Sequence, residues 1–351
     1  MTQNSCAQTI GVAMSGGVDS TVVASLLLEQ NYQVHGFFML LPLPGLEQQL
    51  SKVRLVADQL QIPLHFVDFT TIFSQSIISY FINSYTKGLT PNPCVVCNEL
   101  IKCGRLLDAM ANQGMEKMAT GHYGQIIHKN GRAELHRAAD PAKDQSYFLC
   151  RLSPKQLDRV ILPLGTWKKA DVFSQAEDIG FPHFDGQESQ DVCFLSGQNL
   201  PDFLEEHGVK NQAGDITTST GHVLGRHRGI WQYTVGQRRG LGLPDATPWY
   251  VTGLDPDNNR VIIGKNETLF QTVLSVSDVR WTIPPPQVWQ GKVQLRSRHR
   301  AAQAKVSPQS NGLWQIAFSQ PQRAISPGQF AVFYQENRLV GSGIITSSPR
   351  L

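Results

Sequence analysis

Between residues 10 and 29 the chain passes from an apolar run through a polar glycine-rich turn to apolar positions at helical spacing. IGVAM at 10–14 reads as a buried parallel strand, since a strand covered on both faces has no alternation to show. Segment 21–29 reads as a helix turning Val22, Val23, Leu26 and Leu27 inward. Two more apolar runs, 34–40 and 64–69, read as strands, with a helix around 50–60 between them. Such alternation predicts a parallel sheet with helices on both faces. Ligands of these sheets sit at the carboxyl ends of the strands, which puts Ser15, Met39 and the turn 119–122 on one rim. Two further helices are expected, over 99–110 and from Lys143 after Pro141, the latter with Asp144 near its N-terminus.

The pattern changes near Gly208. Helical runs give way to glycine turns and short alternating strands, with a hairpin turn at 256–259. From Val273 onward five strand-like runs with proline and glycine punctuation predict a small barrel. The expected fold is α/β: a parallel-sheet nucleotide-binding domain over 1–207, a small β-rich domain over 208–272, and a C-terminal β-barrel over 273–351. A chain of 351 residues suits two or three domains.

Composition narrows the function classes. No apolar run approaches a membrane span and no basic-then-apolar leader is visible, so a cytoplasmic protein without membrane attachment is expected. A net charge of only +3 makes any nucleic-acid surface local. The candidates are Arg226, His227, Arg228, Arg238 and Arg239 beside Trp231 and Tyr233, and the cluster Arg296, Arg298, His299 and Arg300. Six cysteines in this context read as thiols or metal ligands rather than a disulfide frame.

The turn SGGVDS at 15–20 joins the first strand to its helix. Glycines there admit close backbone approach, and helix amides face an anion. No lysine follows the glycines, which separates it from the loop of phosphoryl-transfer NTPases. It resembles instead the loop of the ATP pyrophosphatase (PP-loop) superfamily, whose members adenylate a substrate oxygen and release pyrophosphate. Met39 reads either as a wall for adenine or as a core residue, and Gly121 as a close-approach glycine or a plain turn. TPNPCVVCN at 90–98 offers a rigid loop with two thiols at C-x-x-C spacing, suited to a metal corner, a redox dithiol or a nucleophile with a helper. Cys193 is a lone thiol among polar residues, and Lys143 and Gln145 suit a phosphate or base edge. The turn 326–329 is expected to display Gln329 to a partner.

AMSGGVDS at 13–20, TPNPCVVCN at 90–98, ATGHY at 119–123, KDQSYFL at 143–149, DVCFL at 191–195, YTVGQRRGLG at 233–242 and SPGQFAVFY at 326–334 together resemble the tRNA-specific 2-thiouridylases over nearly the whole chain. That resemblance implies a sulfurtransferase that thiolates the wobble uridine of tRNA, by adenylating uracil O2 and delivering sulfur from a cysteine persulfide. It implies that Ala13, Met14, Ser15, Gly16, Gly17, Val18, Asp19, Ser20, Met39 and Gly121 hold ATP with Mg²⁺. Cys97 matches the first catalytic thiol and Cys193 the persulfide carrier. Asn92, Pro93 and Cys94 match positions beside the target base, and His122, Lys143, Asp144, Gln145, Ser297, Arg298 and Gln329 match tRNA contacts. The implied partners are the tRNA anticodon arm and a sulfur carrier or cysteine desulfurase, with the chain itself a monomer. Many relatives carry aspartate where Cys94 stands, and a thiol titrates far above a carboxylate. Cys94, Cys97 and Cys193 would then make a three-thiolate set for an iron–sulfur cluster, the alternative to a metal-free persulfide route. The competing function is an ATP pyrophosphatase-type synthetase acting on a small molecule.

Overall fold

Strand β1 (Thr9–Met14) lies at the centre of the parallel sheet, between β2 (Gln33–Leu40) on one side and β4 (Lys117–Ala119) on the other. β3 (Leu64–Asp68) lies outside β2, and the two-residue strand Val160–Ile161 outside β4. The chain therefore winds outward from β1 through β2 to β3 and then returns to the far side of β1. That reversal opens a crevice at the carboxyl ends of β1 and β4, the place where a doubly wound sheet binds ligands. The computed structural model describes residues 8–181, 192–195 and 197–346.

Helix α1 (Val18–Glu29) follows β1 directly, and nine of its residues from Val18 to Leu27 are buried. It begins three residues earlier than its apolar spacing predicts, because the polar Asp19 and Ser20 form its first turn. Helix α2 (Leu46–Gln59) covers the sheet through Val53, Val56 and Ala57. Val22, Val23, Leu26 and Leu27 all enter the core, with Ile10, Val12, Val34 and Phe38 from the strands. At roughly 25 cal/mol per Å² of apolar area, this burial is the main term fixing α1 against β1.

Two expected helices differ. The 99–110 segment is a π-helix, Asn98–Leu106, followed by the α-helix Leu107–Asn112. The carbonyls of Glu99 and Cys103 both accept from Gln156 Nε2 at 2.9 Å. A Cβ on Gly104 would stand 2.9 Å from the Glu99 carbonyl oxygen, so only glycine fits that widened turn. The segment from Lys143 is a turn leading to a 3-10 helix, Ser146–Leu149, with Asp144 accepting both from the Ala138 amide beyond the preceding strand and from the Ser146 amide at the start of the short helix.

The chain divides into two compact units. The first comprises Met1–Gln75, Cys94–Ser196 and Asn337–Leu339, and the second Ser76–Pro93, Gly197–Glu336 and Val340–Leu351. In the second, a four-stranded sheet contains the hairpin Tyr250–Asp255 and Arg260–Gly264, turned at 256–259 as its sequence predicts. The C-terminal barrel closes through pairing of Phe270–Trp281 with Arg338–Ile345. It has six strands where the apolar pattern predicts five. The last run breaks at Glu336, whose φ of 55° turns the chain between Phe330–Gln335 and Arg338–Ile345. No helix among the described residues is long and apolar enough to cross a membrane.

Candidate active site

The loop after β1 is shaped by two glycines with different reasons. Gly16 has φ +73°, a left-handed conformation, and a Cβ there would press on Lys52 and Val53. Gly17 has ordinary extended geometry, and a Cβ there would meet only Ser15 Oγ at 3.4 Å. Neither strain nor packing requires glycine at 17, so its bareness leaves room for a ligand beside the helix end. Gly17 is also the N-cap of α1 and supplies no side-chain cap. An uncapped helix N-terminus presents amides and a partial positive charge to an anion. Within the loop the Ser15 amide donates to Ser20 Oγ at 3.2 Å, the Gly17 amide to Ser15 Oγ at 3.3 Å, and Ser20 Oγ to the Gly17 carbonyl at 3.0 Å.

Asp19 is the hub of this end of the sheet. Lys169 Nζ, at the start of helix Lys169–Asp178, donates to both its oxygens at 2.7 and 2.9 Å. Tyr123 Oη donates to Asp19 Oδ1 at 2.7 Å. The turn after β4 packs on the same residue, since a Cβ on Gly121 would lie 2.8 Å from Asp19 Cβ and 3.2 Å from the Ser20 amide. Gly121 thus admits the neighbouring loop. Gly121→Ala is expected to cost about 1–3 kcal/mol of stability, as overpacking does, and to weaken nucleotide binding by displacing Asp19 and Ser20. Thermal denaturation and nucleotide titration of the variant check both. Ala13 and Met14 end β1, and Met39 is half-buried near the end of β2, on the same rim rather than in the core.

The thiols lie in the same unit. Cys97 ends the short helix Pro93–Cys97, is 8% exposed, and burial pushes its thiol up to about 12. Lys102 lowers it, and the nearby Cys193 and Cys94 raise it further. Cys94 and Cys193 are open to solvent at one side, yet surrounding protein raises both thiols, against the pull of Lys102. Three sulfurs from two distant segments therefore lie within electrostatic reach of one another. Cys193 sits on a 3-10 turn, Cys193–Leu195, anchored by Phe194 packed edge-on to Phe73 at 6.0 Å. Asp191, in the same motif, lies outside the described residues. Cys103 packs as a buried apolar residue, as expected. Among the described residues no three Cys, His, Asp or Glu side chains gather closely enough to hold a metal ion.

Sequence reasoning missed Lys102 and Lys169. In an α-helix, residues 97 and 102 would point about 140° apart, whereas the wider turn of the π-helix Asn98–Leu106 brings positions five apart closer to one face. Lys169 has no local signal at all; its role comes from Asp19, far away in the chain.

The positions matched to RNA contacts divide into exposed and committed groups. His122 Nδ1 and Thr120 Oγ1 are hydrogen-bonded at 2.9 Å, and burial, then Lys102, push the imidazole down to about 3, so it is neutral at pH 7. Asp144 accepts from Arg137 Nη1 at 2.6 Å, Ser146 Oγ at 3.0 Å, and the amides of Ala138 and Ser146. Gln145 Oε1 accepts from the Tyr123 amide at 2.9 Å. Asp144 and Gln145 thus hold the loop that carries half-buried Lys143.

In the second unit, Ser297 and Arg298 are exposed on a turn held by Gln294 Nε2. Gln329 is not displayed outward as its turn predicts: Nε2 donates to the carbonyls of Thr90 and Pro91 at 3.0 and 3.2 Å. It thereby ties down the loop that carries Asn92 and Pro93. A cavity of about 220 Å³ beside it is lined by Thr90, Arg296, His299, Arg323 and Ser326 among others. The expected aromatic–basic face near 226–239 is corrected. Arg226, Arg228, Arg238 and Arg239 are exposed, but Trp231, Tyr233 and His227 are buried, and Tyr233 belongs to the core of the small sheet.

The family model described as tRNA methyl transferase HUP domain matches residues 8–197. The models described as tRNA methyl transferase PRC-barrel domain and aminomethyltransferase beta-barrel domain match 201–265 and 271–345. A tRNA-specific 2-thiouridylase MnmA of Desulfotalea psychrophila is 46% identical over 338 residues, covering 95% of this chain and 98% of the relative. The chain belongs to the tRNA-specific 2-thiouridylase family. Family proteins of the same name from Chloroflexus aurantiacus and Trichlorobacter lovleyi are 42% and 41% identical, covering 95% and 97% of this chain and 97% and 98% of the relatives. The family's α/β domain, PRC-barrel and C-terminal β-barrel follow one another in the order its sequence predicts.

Proposed function

We propose that the chain is a tRNA uridine 2-sulfurtransferase, exchanging O2 of the wobble uracil for sulfur at the expense of ATP. Membership of the thiouridylase family makes it a tRNA-modifying transferase. Uracil C2 is a poor electrophile because oxide is a poor leaving group. Attack of O2 on the α-phosphorus of ATP expels pyrophosphate and makes O2 part of a phosphate ester. Amides of the 15–20 loop and the α1 N-terminus stabilise the departing charge. Mg²⁺ arrives with the nucleotide as part of that substrate, and Met39 and Gly121 flank it.

Sulfur enters as a persulfide on Cys193. Cys97 thiolate attacks the inner sulfur, forming a Cys97–Cys193 disulfide and releasing hydrosulfide. Hydrosulfide adds to C2 and AMP leaves; an external dithiol then supplies two electrons to reopen the disulfide. The observation that carries this reading is the nearness of Cys97 and Cys193 in the unit that bears the glycine loop. Asn92, Pro93 and Cys94 flank the flipped base. His122, Lys143, the exposed Ser297–Arg298 turn and the arginines of the small sheet contact the anticodon arm, while Asp144, Gln145 and Gln329 set their loops.

We assign 1–207 to chemistry and 208–272 and 273–351 to RNA binding, in a cytoplasmic monomer served by a sulfur carrier or desulfurase. Incubation with ATP, a persulfide donor, a dithiol and unmodified tRNA should yield 2-thiouridine in the nucleoside digest, with AMP in equal amount. No thiolated nucleoside, with ATP cleaved only when a small carboxylate or amide is added, would favour a small-molecule synthetase.

A further inference from the structure

The glycine loop lacks the lysine that phosphate-binding loops ordinarily carry, yet a lysine reaches it from elsewhere. Lys169 is buried, with its side chain 8% exposed, and its ammonium lies on the Asp19 carboxylate. The rings of Tyr123 and Phe173 stand 5.6 and 5.1 Å from Nζ, and the Lys169 amide is fixed by Asp140 Oδ2 at 3.2 Å. Asp19 belongs to the first turn of α1, beside the amides that face an incoming anion. A bare carboxylate there would occupy the positive end of the helix and repel a triphosphate.

We propose that Lys169 is a positioning residue for ATP: by pairing with Asp19 it cancels that carboxylate's charge and opens the α1 N-terminus to the β- and γ-phosphates. The inference rests on the ATP reading above. Lys169 acts through Asp19, and Tyr123 Oη also donates to its Oδ1. The lysine missing from the loop is thus replaced by one delivered from the helix Lys169–Asp178. It predicts that the lysine is needed only while the aspartate is charged.

The test uses the full-length protein without tRNA and measures binding of ATP and of adenosine by calorimetry. Lys169→Met should weaken ATP about tenfold or more while adenosine, which has no phosphates, stays within twofold of wild type. In the Asp19→Asn background, adding Lys169→Met should change ATP affinity by less than threefold. The proposal is overturned if Lys169→Met leaves ATP binding intact, or if ATP and adenosine weaken together, as a collapsed site would give. It is also overturned if the double variant binds ATP as poorly as Lys169→Met alone. Wild-type protein that binds neither ligand would refute the ATP reading itself and this inference with it.

Discussion

Cys97→Ser and Cys193→Ser should each lower 2-thiouridine formation roughly 10³-fold or more, the scale expected when a nucleophile that works in concert with a partner is removed. A serine oxygen cannot accept or resolve a persulfide sulfur, so on the proposed mechanism the sulfur step stops while the adenylating half remains. Pyrophosphate release in the presence of tRNA should therefore persist within about tenfold in both variants. Cys94→Ser distinguishes the two-thiol route from any three-thiol arrangement. On the proposed route two thiols suffice for the persulfide chemistry, so Cys94→Ser should keep activity within about tenfold. A Cys94 variant as inactive as the other two would overturn the assignment. Nucleoside digests and pyrophosphate assays on the same preparations give both readouts.

Cys97 in the tRNA-free protein should react with iodoacetamide about 10³-fold more slowly at pH 7 than an unperturbed thiol. A thiol titrating near 8.5 is about 3% ionised at that pH, and one near 12 only about 0.001%. The cause is burial, opposed by Lys102. The rate should rise about tenfold per pH unit toward pH 12. Lys102→Met, which removes the cation lowering the thiol, should slow it further. Peptide mass spectrometry after timed alkylation follows each cysteine separately. A Cys97 that alkylates at pH 7 as fast as free cysteine would show that its thiol is not shielded in this way.

The same buried thiols tie stability to alkaline pH. Cys97 and Cys103 are both pushed up to about 12, so the folded state favours their neutral forms. Above about pH 9 the unfolded chain ionises them and the folded chain does not. Stability is accordingly full below that pH and falls between about 9 and 12, by up to about 1.4 kcal/mol per pH unit per thiol. On the proposed persulfide route the proton on Cys97 must be drawn off when the base is in place, and Lys102, which lowers that thiol, would favour the thiolate.

Much of the nucleotide half is legible from local pattern. Ile10–Met14 is apolar on both faces, the next residues are small and polar, and Val22, Val23, Leu26 and Leu27 recur at helical spacing. Those features alone dictate strand, turn and helix, and hence an anion site at the turn. Cys97 and Cys193 are legible as candidates through motif resemblance, because each motif is local.

Only the tertiary structure decided what surrounds them. Strand order placed the carboxyl ends of β1 and β4 side by side, which brought Gly121 and Tyr123 onto Asp19. The sequence bears no mark of the Lys169 pairing, since an ion pair between distant segments has no periodicity. Lys102 was hidden because one extra residue per turn changes which side chains share a helix face. Trp231 and Tyr233, read as an RNA-facing surface, are buried, because a small domain must bury its few large rings to be stable at all. Local spacing determines elements and reactive residue types; the charges and partners that tune them come from packing between segments that the sequence keeps apart.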